Sequence, residues 1–418
     1  MRDVLETLNN PPYDVQKIRE DFDFLKVGES PTIYLDNGAT TQRPRQVLER
    51  VSEYYKSENA NPLRGTYHLA AASTEAYEQA RKRVAKFINA RTKQEIIFTR
   101  NASEALNLVA YSYGFEHLEE GDEVLITRME HHSNSVPWQF VCQKTGAKLV
   151  YAELDGDFQL DMDDFASKLS EKTKIVSFTG TSNVLSSEPD VKKISEMAHS
   201  VGAIAICDGA QMVPHHKVDV QDLGCDFLAL SGHKMSAPFG IGVLYGKRDI
   251  LQHMQPFMYG GEMIEYVQDF SASYAPLPYK FEAGTQNVGG AVGLHAAIDY
   301  VEAIGFDKIS AYEQALGEYC AIKLRELGTC NVFHPTKGPR GAAVAFNVCG
   351  VHPHDVASIF DYKHVAIRAG HHCAQQLHRG LDIESSCRAS FGIYNTKEEI
   401  DAFIDGINFV RETMGLTK

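Results

Sequence analysis

Short apolar runs alternate with stretches of helical periodicity from about residue 30 to residue 245. The runs predict strands at Thr32–Leu35, Glu95–Thr99, Glu123–Thr127, Lys148–Leu154, Lys174–Phe178, Ala203–Cys207, Phe227–Leu230 and Ile241–Tyr245. The periodic stretches predict helices at Arg45–Lys56, Ser73–Asn89, Ala102–Tyr113 and Val191–Val201, with one more between the strands at Glu123 and Lys148. Such alternation predicts a largely parallel sheet covered on both faces, with ligands beyond the carboxyl ends of its strands. After Gly290 the pattern changes. Two long helices (Val292–Ile304, Ser310–Leu327) precede a strand (Ala342–Val348), a helix (Pro353–Tyr362) and a strand (Val365–Arg368). A loop, a strand (Arg388–Tyr394) and a last helix (Lys397–Met414) follow, which makes a smaller α+β domain. The expected division is an N-terminal arm (1–30) packed on the smaller domain, a large domain (31–290) and a small C-terminal domain (291–418).

Polar residues stand directly after several apolar runs. Phe227-Leu-Ala-Leu-Ser-Gly-His-Lys234 ends a buried run on one lysine. Desolvation there disfavours the ammonium and leaves an amine that can attack a carbonyl. Ala203-Ile-Ala-Ile-Cys-Asp208-Gly-Ala-Gln211 ends on a carboxylate, which is either a turn former or an anion that keeps a heterocyclic nitrogen protonated. Arg100-Asn-Ala102-Ser103 opens a helix after a strand, either as an ordinary cap or as a phosphate cradle. Met129-Glu-His131-His132 also follows a strand, and an imidazole there can stack on an aromatic cofactor. Ile367-Arg368-Ala-Gly-His-His-Cys373 places a cysteine in a glycine-containing loop beside an arginine and two histidines, a setting for a reactive thiol. Arg388 can clamp a substrate carboxylate or join a surface ion pair.

Composition narrows the function classes. Lys+Arg 41 against Asp+Glu 55 gives a net charge of −14, which argues against general binding to nucleic acid or anionic membranes. No apolar run approaches the ~20 residues of a membrane span. The first twelve residues lack the apolar core of a signal peptide. The eight cysteines are scattered without Cys-x-x-Cys, as in a reduced cytosolic protein, and the seven besides Cys373 are expected to be inert buried thiols. Histidines adjoin at 131–132, 215–216 and 371–372, but neighbours in sequence point apart and no metal-ligand spacing supports a site.

Taken in order, Asp208-Gly-Ala-Gln211, Ser231-Gly-His-Lys234, Phe281-Glu-Ala-Gly-Thr285, Arg368-Ala-Gly-His-His-Cys373 and Cys387-Arg-Ala-Ser resemble a cysteine desulfurase, a class V, fold-type I pyridoxal 5'-phosphate (PLP) enzyme. Arg-x-Gly-His-His-Cys-Ala resembles the group II, SufS-type branch. The likeness runs from Tyr34-Leu-Asp-Asn to Tyr394-Asn-Thr-Lys and includes Met129-Glu-His-His-Ser-Asn-Ser-Val-Pro-Trp138. It implies a mostly parallel seven-stranded sheet between helices plus the smaller α+β domain. It implies that Lys234 carries PLP and shuttles a proton, Asp208 pairs with the ring nitrogen, Gln211 with the ring oxygen, and His131 stacks on the ring. Ala102, Ser103, Ser231 and His233 would hold the phosphate, with Thr285 reaching across a homodimer. Asn183, Arg368 and Arg388 would bind the substrate, and Cys373 would take its sulfur as a persulfide for a Suf-pathway acceptor and iron–sulfur assembly. A selenocysteine lyase or another class V lyase or aminotransferase is the alternative within the family, and a metal-binding scaffold the alternative outside it. Four positions depart from the family's usual residues: Gly180 and Tyr67 replace histidines, Met235-Ser-Ala-Pro-Phe239 replaces Leu-Tyr-Gly-Pro-Thr, and Gln376 replaces a common proline.

Overall fold

The computed structural model describes residues 1–27 and 32–416; the boundary expected at residues 30 and 31 lies outside the described residues, as do the last two residues of the expected small domain. In chain order its strands are β1 (Ile33–Tyr34), β2 (Ile96–Thr99), β3 (Glu123–Thr127), β4 (Lys148–Ala152), β5 (Thr173–Thr179), β6 (Ile204–Asp208), β7 (Phe227–Ser231) and β8 (Gly242–Gly246). They continue as β9 (Ile264–Val267), β10 (Ala272–Tyr274), β11 (Cys330–Phe333), β12 (Ala343–Val348), β13 (Val365–Ala366), β14 (Arg368–Gly370) and β15 (Ser386–Ser390). Seven form the main sheet, in the order β2-β8-β7-β6-β5-β3-β4. It is parallel from β7 to β4, while β8 runs antiparallel to both β2 and β7.

The strands of the main sheet are apolar on both faces, as burial between two cores requires. Every residue of β2, β7 and β8 is buried. Successive side chains alternate between two cores: Phe227 and Ala229 join one cluster, Leu228 and Leu230 the other. Gly242 lets β8 pass close to the β2–helix turn, since a Cβ there would lie 2.5 Å from Asn101 Cα. That approach sets the helix Ala102–Val109, capped by Asn101, beside the end of β7.

A four-stranded antiparallel sheet, β11-β12-β15-β14, carries the second core with the helices Phe306–Glu326, Pro353–Tyr362 and Lys397–Thr413. The last helix starts in a capping box between Thr396 and Glu399. Leu8 and Val15, on the two N-terminal helices Arg2–Asn9 and Val15–Glu20, join this same cluster.

Two expected strands change place: Val365–Arg368 splits into β13 and β14 in different sheets, and Thr32–Leu35 pairs as β1 with β13 and not with the main sheet. A third is shifted. The run predicted as Arg388–Tyr394 pairs only as Ser386–Ser390; Phe391, Ile393 and Tyr394 are core residues of a turn closed by Gly392 N–H on Asn395 Oδ1 at 2.8 Å. Absent from the sequence reading are the β9–β10 hairpin, β11, and the short helices Met162–Lys168, Arg248–His253 and Gln375–Gly380. These strands are largely exposed or half-buried, so they carry no continuous apolar run, and helices of six or seven residues complete too few turns to show a period.

Candidate active site

The ends of β5, β6 and β7, the turn after β3 and the start of the helix Ala102–Val109 meet around one cavity of about 290 Å³. Its walls include Ala102, Ser103, His131, Asn183, Asp208, Gln211, Ser231, His233, Lys234, Arg368, Cys373 and Arg388. Thr285 is the one predicted site residue outside it; exposed, it lines two neighbouring clefts, one with Tyr55 and one with Arg100.

A single 3-10 turn, Gly232–Lys234, follows β7 and delivers the lysine to the cavity. Burial lowers the Lys234 amine to about 8, against the opposing charge of Asp208. Asp208 is the last, buried residue of β6, and its Oδ1 accepts from Ala210 N–H at 3.0 Å. Burial raises its carboxyl, while that N–H and Lys234 pull it back. Gln211 donates its side-chain amide to Gly38 O at 2.7 Å. Burial and the nearby Lys234 charge lower His131 to about 3 and His233 to about 4, so both rings are neutral. His131 Nδ1 accepts from Ser133 N–H at 3.1 Å, whereas His233 Nδ1 is buried without a partner. At the helix start, Ala102 N–H donates to Ser231 Oγ at 2.8 Å, and the Ser103 and Ser133 hydroxyls are 2.5 Å apart.

Both arginines converge on Asp36. Arg368 forks onto it at 3.0 and 2.8 Å, and Arg388 Nη2 lies 3.3 Å from the same carboxylate. Arg388 Nη1 also donates to Asn183 O at 2.8 Å, and its Nε is buried and unpartnered. Two guanidinium groups on one carboxylate leave one surplus positive charge, suited to a further carboxylate.

Cys373 lies on a tight turn in which His372 (φ 50°) and Cys373 (φ 55°) are both left-handed, an unfavourable conformation for side-chain-bearing residues. Three contacts hold it: His132 N–H to Cys373 O at 2.7 Å, Asn183 Nδ2 to His372 O at 2.7 Å, and His372 Nε2 with Ser386 O at 3.0 Å. Cys373 is exposed. Five other cysteines are buried as expected, but Cys330 is half-buried on the edge strand β11, and Cys349 is exposed in the turn after β12.

Two carboxylates went unread in the sequence. Asp36 was visible only as part of Tyr34-Leu-Asp-Asn. Glu130 is buried beside Asp208, where it accepts from Thr127 Oγ1 (2.5 Å), Thr179 N–H (3.0 Å) and Asn134 Nδ2 (2.6 Å). Burial pushes it up to about 8. Its one signal was its place directly before His131. The departures have physical settings. A Cβ at Gly180 would lie 2.8 Å from Met212 Sδ and 3.2 Å from Cys207 Sγ, so Met212 occupies the room of a side chain there. Tyr67 is exposed and does not line the cavity. Gln376 is in the first turn of a helix and anchors to Ser135 Oγ at 3.3 Å.

The aminotransferase class-V family model matches residues 33–403, and the chain belongs to that family. It is 50% identical to a probable cysteine desulfurase of Halalkalibacterium halodurans, over 93% of this chain and 96% of the relative. It is 45% identical to a cysteine desulfurase of Haloferax volcanii, over 96% of this chain and 98% of the relative. The apo cysteine desulfurase of Thermococcus onnurineus NA1 superposes with a TM-score of 0.91 at 38% identity, covering 96% of this chain and 99% of that one. The cysteine desulfurase CsdA of Escherichia coli, in its S-sulfonic acid form, gives a TM-score of 0.89 at 34% identity with the same coverage.

Proposed function

We propose that this chain is a cysteine desulfurase that uses PLP to convert L-cysteine to L-alanine and leaves the sulfur on Cys373. One observation carries the reading: a single cavity joins a desolvated lysine, a buried aspartate and an exposed cysteine on a strained turn.

The residues present fit the cofactor. Lys234 would carry it, Asp208 would face its ring nitrogen, Gln211 its ring oxygen, and the neutral His131 its ring face. Ala102, Ser103, Ser231 and His233 would hold its phosphate at the helix start, where the helix dipole favours an anion. The buried Nδ1 of His233, which has no protein partner among the described residues, fits a phosphate ligand there. The exposure of Thr285 supports a homodimer in which it reaches the partner's phosphate.

When bound, PLP takes up the electron pair freed at the substrate Cα. Lys234 takes the Cα proton at Nζ and returns one. Arg368 and Arg388 hold the substrate carboxylate, with Asn183 orienting it. The Cys373 thiolate attacks the substrate sulfur, so an S–S bond forms and the carbon–sulfur bond breaks. That bond's electron pair stays on carbon, which gains a proton. L-cysteine and the thiol thus become L-alanine and a Cys373 persulfide, with no other reactant.

The short His-His-Cys turn, followed at once by the helix Gln375–Gly380, supports the group II, SufS-type branch. In that branch the persulfide passes to an acceptor protein of the Suf pathway for iron–sulfur assembly, in the cytoplasm. Among the described residues no helix is long and apolar enough to cross a membrane. The seven-stranded and four-stranded sheets support a division near residue 290 into a large domain (31–290) and a small one (291–418), with residues 1–30 as an arm on the latter; the pairing of β1 with β13 and the place of Leu35 in the second core extend that arm past residue 31.

The test is L-cysteine turnover by purified protein, with alanine and sulfide assayed. Cys373→Ala is expected to retain the absorbance of bound PLP and to lose alanine formation by a factor on the order of 10² or more. Alanine formed at the wild-type rate would overturn the role of Cys373.

A further inference from the structure

Phe239 is 65% exposed, yet its ring is engaged by two polar groups. The His233 imidazole stacks on it, with centroids 5.6 Å apart and 27° between planes. The Arg43 guanidinium lies over it, 4.3 Å from the centroid. Arg43 is itself fixed, donating to Ala237 O (3.1 Å), Thr41 O (2.7 Å) and Thr40 Oγ1 (3.3 Å). The backbone of His233 is equally fixed, its carbonyl accepting from Thr40 Oγ1 (3.0 Å) and Thr41 N–H (3.1 Å). The imidazole is not held in this way, for its buried Nδ1 has no partner. Among the described residues, the ring contact that bears on the plane of this imidazole is the stack on Phe239. This residue also belongs to the segment that departs from the commoner Lys-Leu-Tyr-Gly-Pro-Thr-Gly.

We propose that Phe239 is a positioning residue for His233: through the stack, anchored by Arg43, it fixes the imidazole at the phosphate end of the cavity and so sets how tightly this chain holds PLP. The proposal rests on the reading of His233 as a phosphate ligand. Burial, Lys234 and Arg43 all keep that imidazole neutral, so it meets an anion as a single N–H donor with a defined direction. A ring free to turn would present that donor only part of the time.

The experiment titrates cofactor-free protein with PLP, followed by the absorbance of the bound cofactor, for wild type, Phe239→Thr, Phe239→Tyr and His233→Ala. Loss of an aromatic stack is expected to weaken PLP about threefold to tenfold in Phe239→Thr, while Phe239→Tyr, which keeps the ring, stays within about twofold of wild type. In cofactor-free Phe239→Thr, the NMR titration of the His233 imidazole is expected to move up toward the ordinary value as water reaches the ring. A general loss of structure would weaken PLP without that shift in one histidine. Wild-type affinity in Phe239→Thr, or equal weakening in Thr and Tyr variants, would overturn the proposal. If His233→Ala binds PLP as wild type does, the reading of His233 itself falls; if only His233→Ala weakens binding, the role of Phe239 alone falls.

Discussion

An amine attacks a carbonyl only after it has lost its proton, and at Lys234 burial makes that loss easy. With its pKa lowered to about 8, roughly a tenth of the amine is neutral at pH 7, against well under a thousandth for an ordinary lysine. In cofactor-free protein the rate at which PLP attaches to Lys234 is therefore expected to rise with pH up to about 8 and then level off. Stopped-flow absorbance across a pH series checks this; a rate that keeps rising past about pH 10 would mark an unshifted lysine. Gly180 shows a different kind of residue-scale coupling. Its side-chain space is filled by Met212, so Gly180→His alone is expected to destabilise the protein by about 1–3 kcal/mol through overpacking. Adding Met212→Ala in the same chain is expected to recover most of that loss in urea denaturation. The departure at Gly180 was legible in the sequence. Its partner was not, because Met212 reaches it from a separate strand–turn unit.

The segment Phe281-Glu282-Ala-Gly-Thr285 is held by one of the most buried ion pairs in the chain. Arg81 forks onto Glu282 at 2.6 and 2.8 Å, Tyr77 OH donates to Glu282 at 2.9 Å, and Phe98 N–H at 2.7 Å. These bonds tie the helix His68–Phe87 and strand β2 to the loop that presents Thr285. Removing Glu282 leaves the buried Arg81 with Glu78, at 3.2 Å, as its remaining counter-ion, and strips the fork and the bonds from Tyr77 and Phe98. Glu282→Ala is therefore expected to lower stability by about 3–5 kcal/mol, read as a fall in the urea midpoint with an unchanged slope. A loss under about 1 kcal/mol would show that Glu78 alone suffices to hold Arg81. At this scale the sequence was most readable where strands are buried on both faces, since β2, β6, β7 and β8 carry continuous apolar runs. It was least readable for β9, β10 and β11, whose largely exposed positions carry no such run.

Across the whole molecule, paired histidines link the turn after β6 to the long helix Phe306–Glu326. His215 bonds Glu313 at 2.6 Å; His216 bonds Glu188 at 2.7 Å and approaches Ser310 at 3.3 Å. Burial alone would lower the His215 ring, but the charge and hydrogen bond of Glu313 outweigh it and raise its pKa. A raised pKa in the folded state means stability that is complete below the unfolded value of about 6.5 and is lost as pH rises through the folded value. The melting temperature of wild type is thus expected to exceed that of His215→Asn most below about pH 6.5, with the gap narrowing at alkaline pH. A gap that does not change with pH would assign the pair no charge. The sequence by itself determined the main-sheet strands and the order of the chemical motifs along them. Burial periodicity is local, and each motif is a few consecutive residues at a strand end. Only the tertiary structure decided that Asp36 meets Arg368 and Arg388, that Glu130 lies beside Asp208, that Met212 fills the space at Gly180, and that His215 meets Glu313. Asp36 and Arg368 are 332 residues apart, and His215 and Glu313 are 98 apart. Such meetings depend on the order of strands across the sheet and the path of each crossover, which no local pattern encodes.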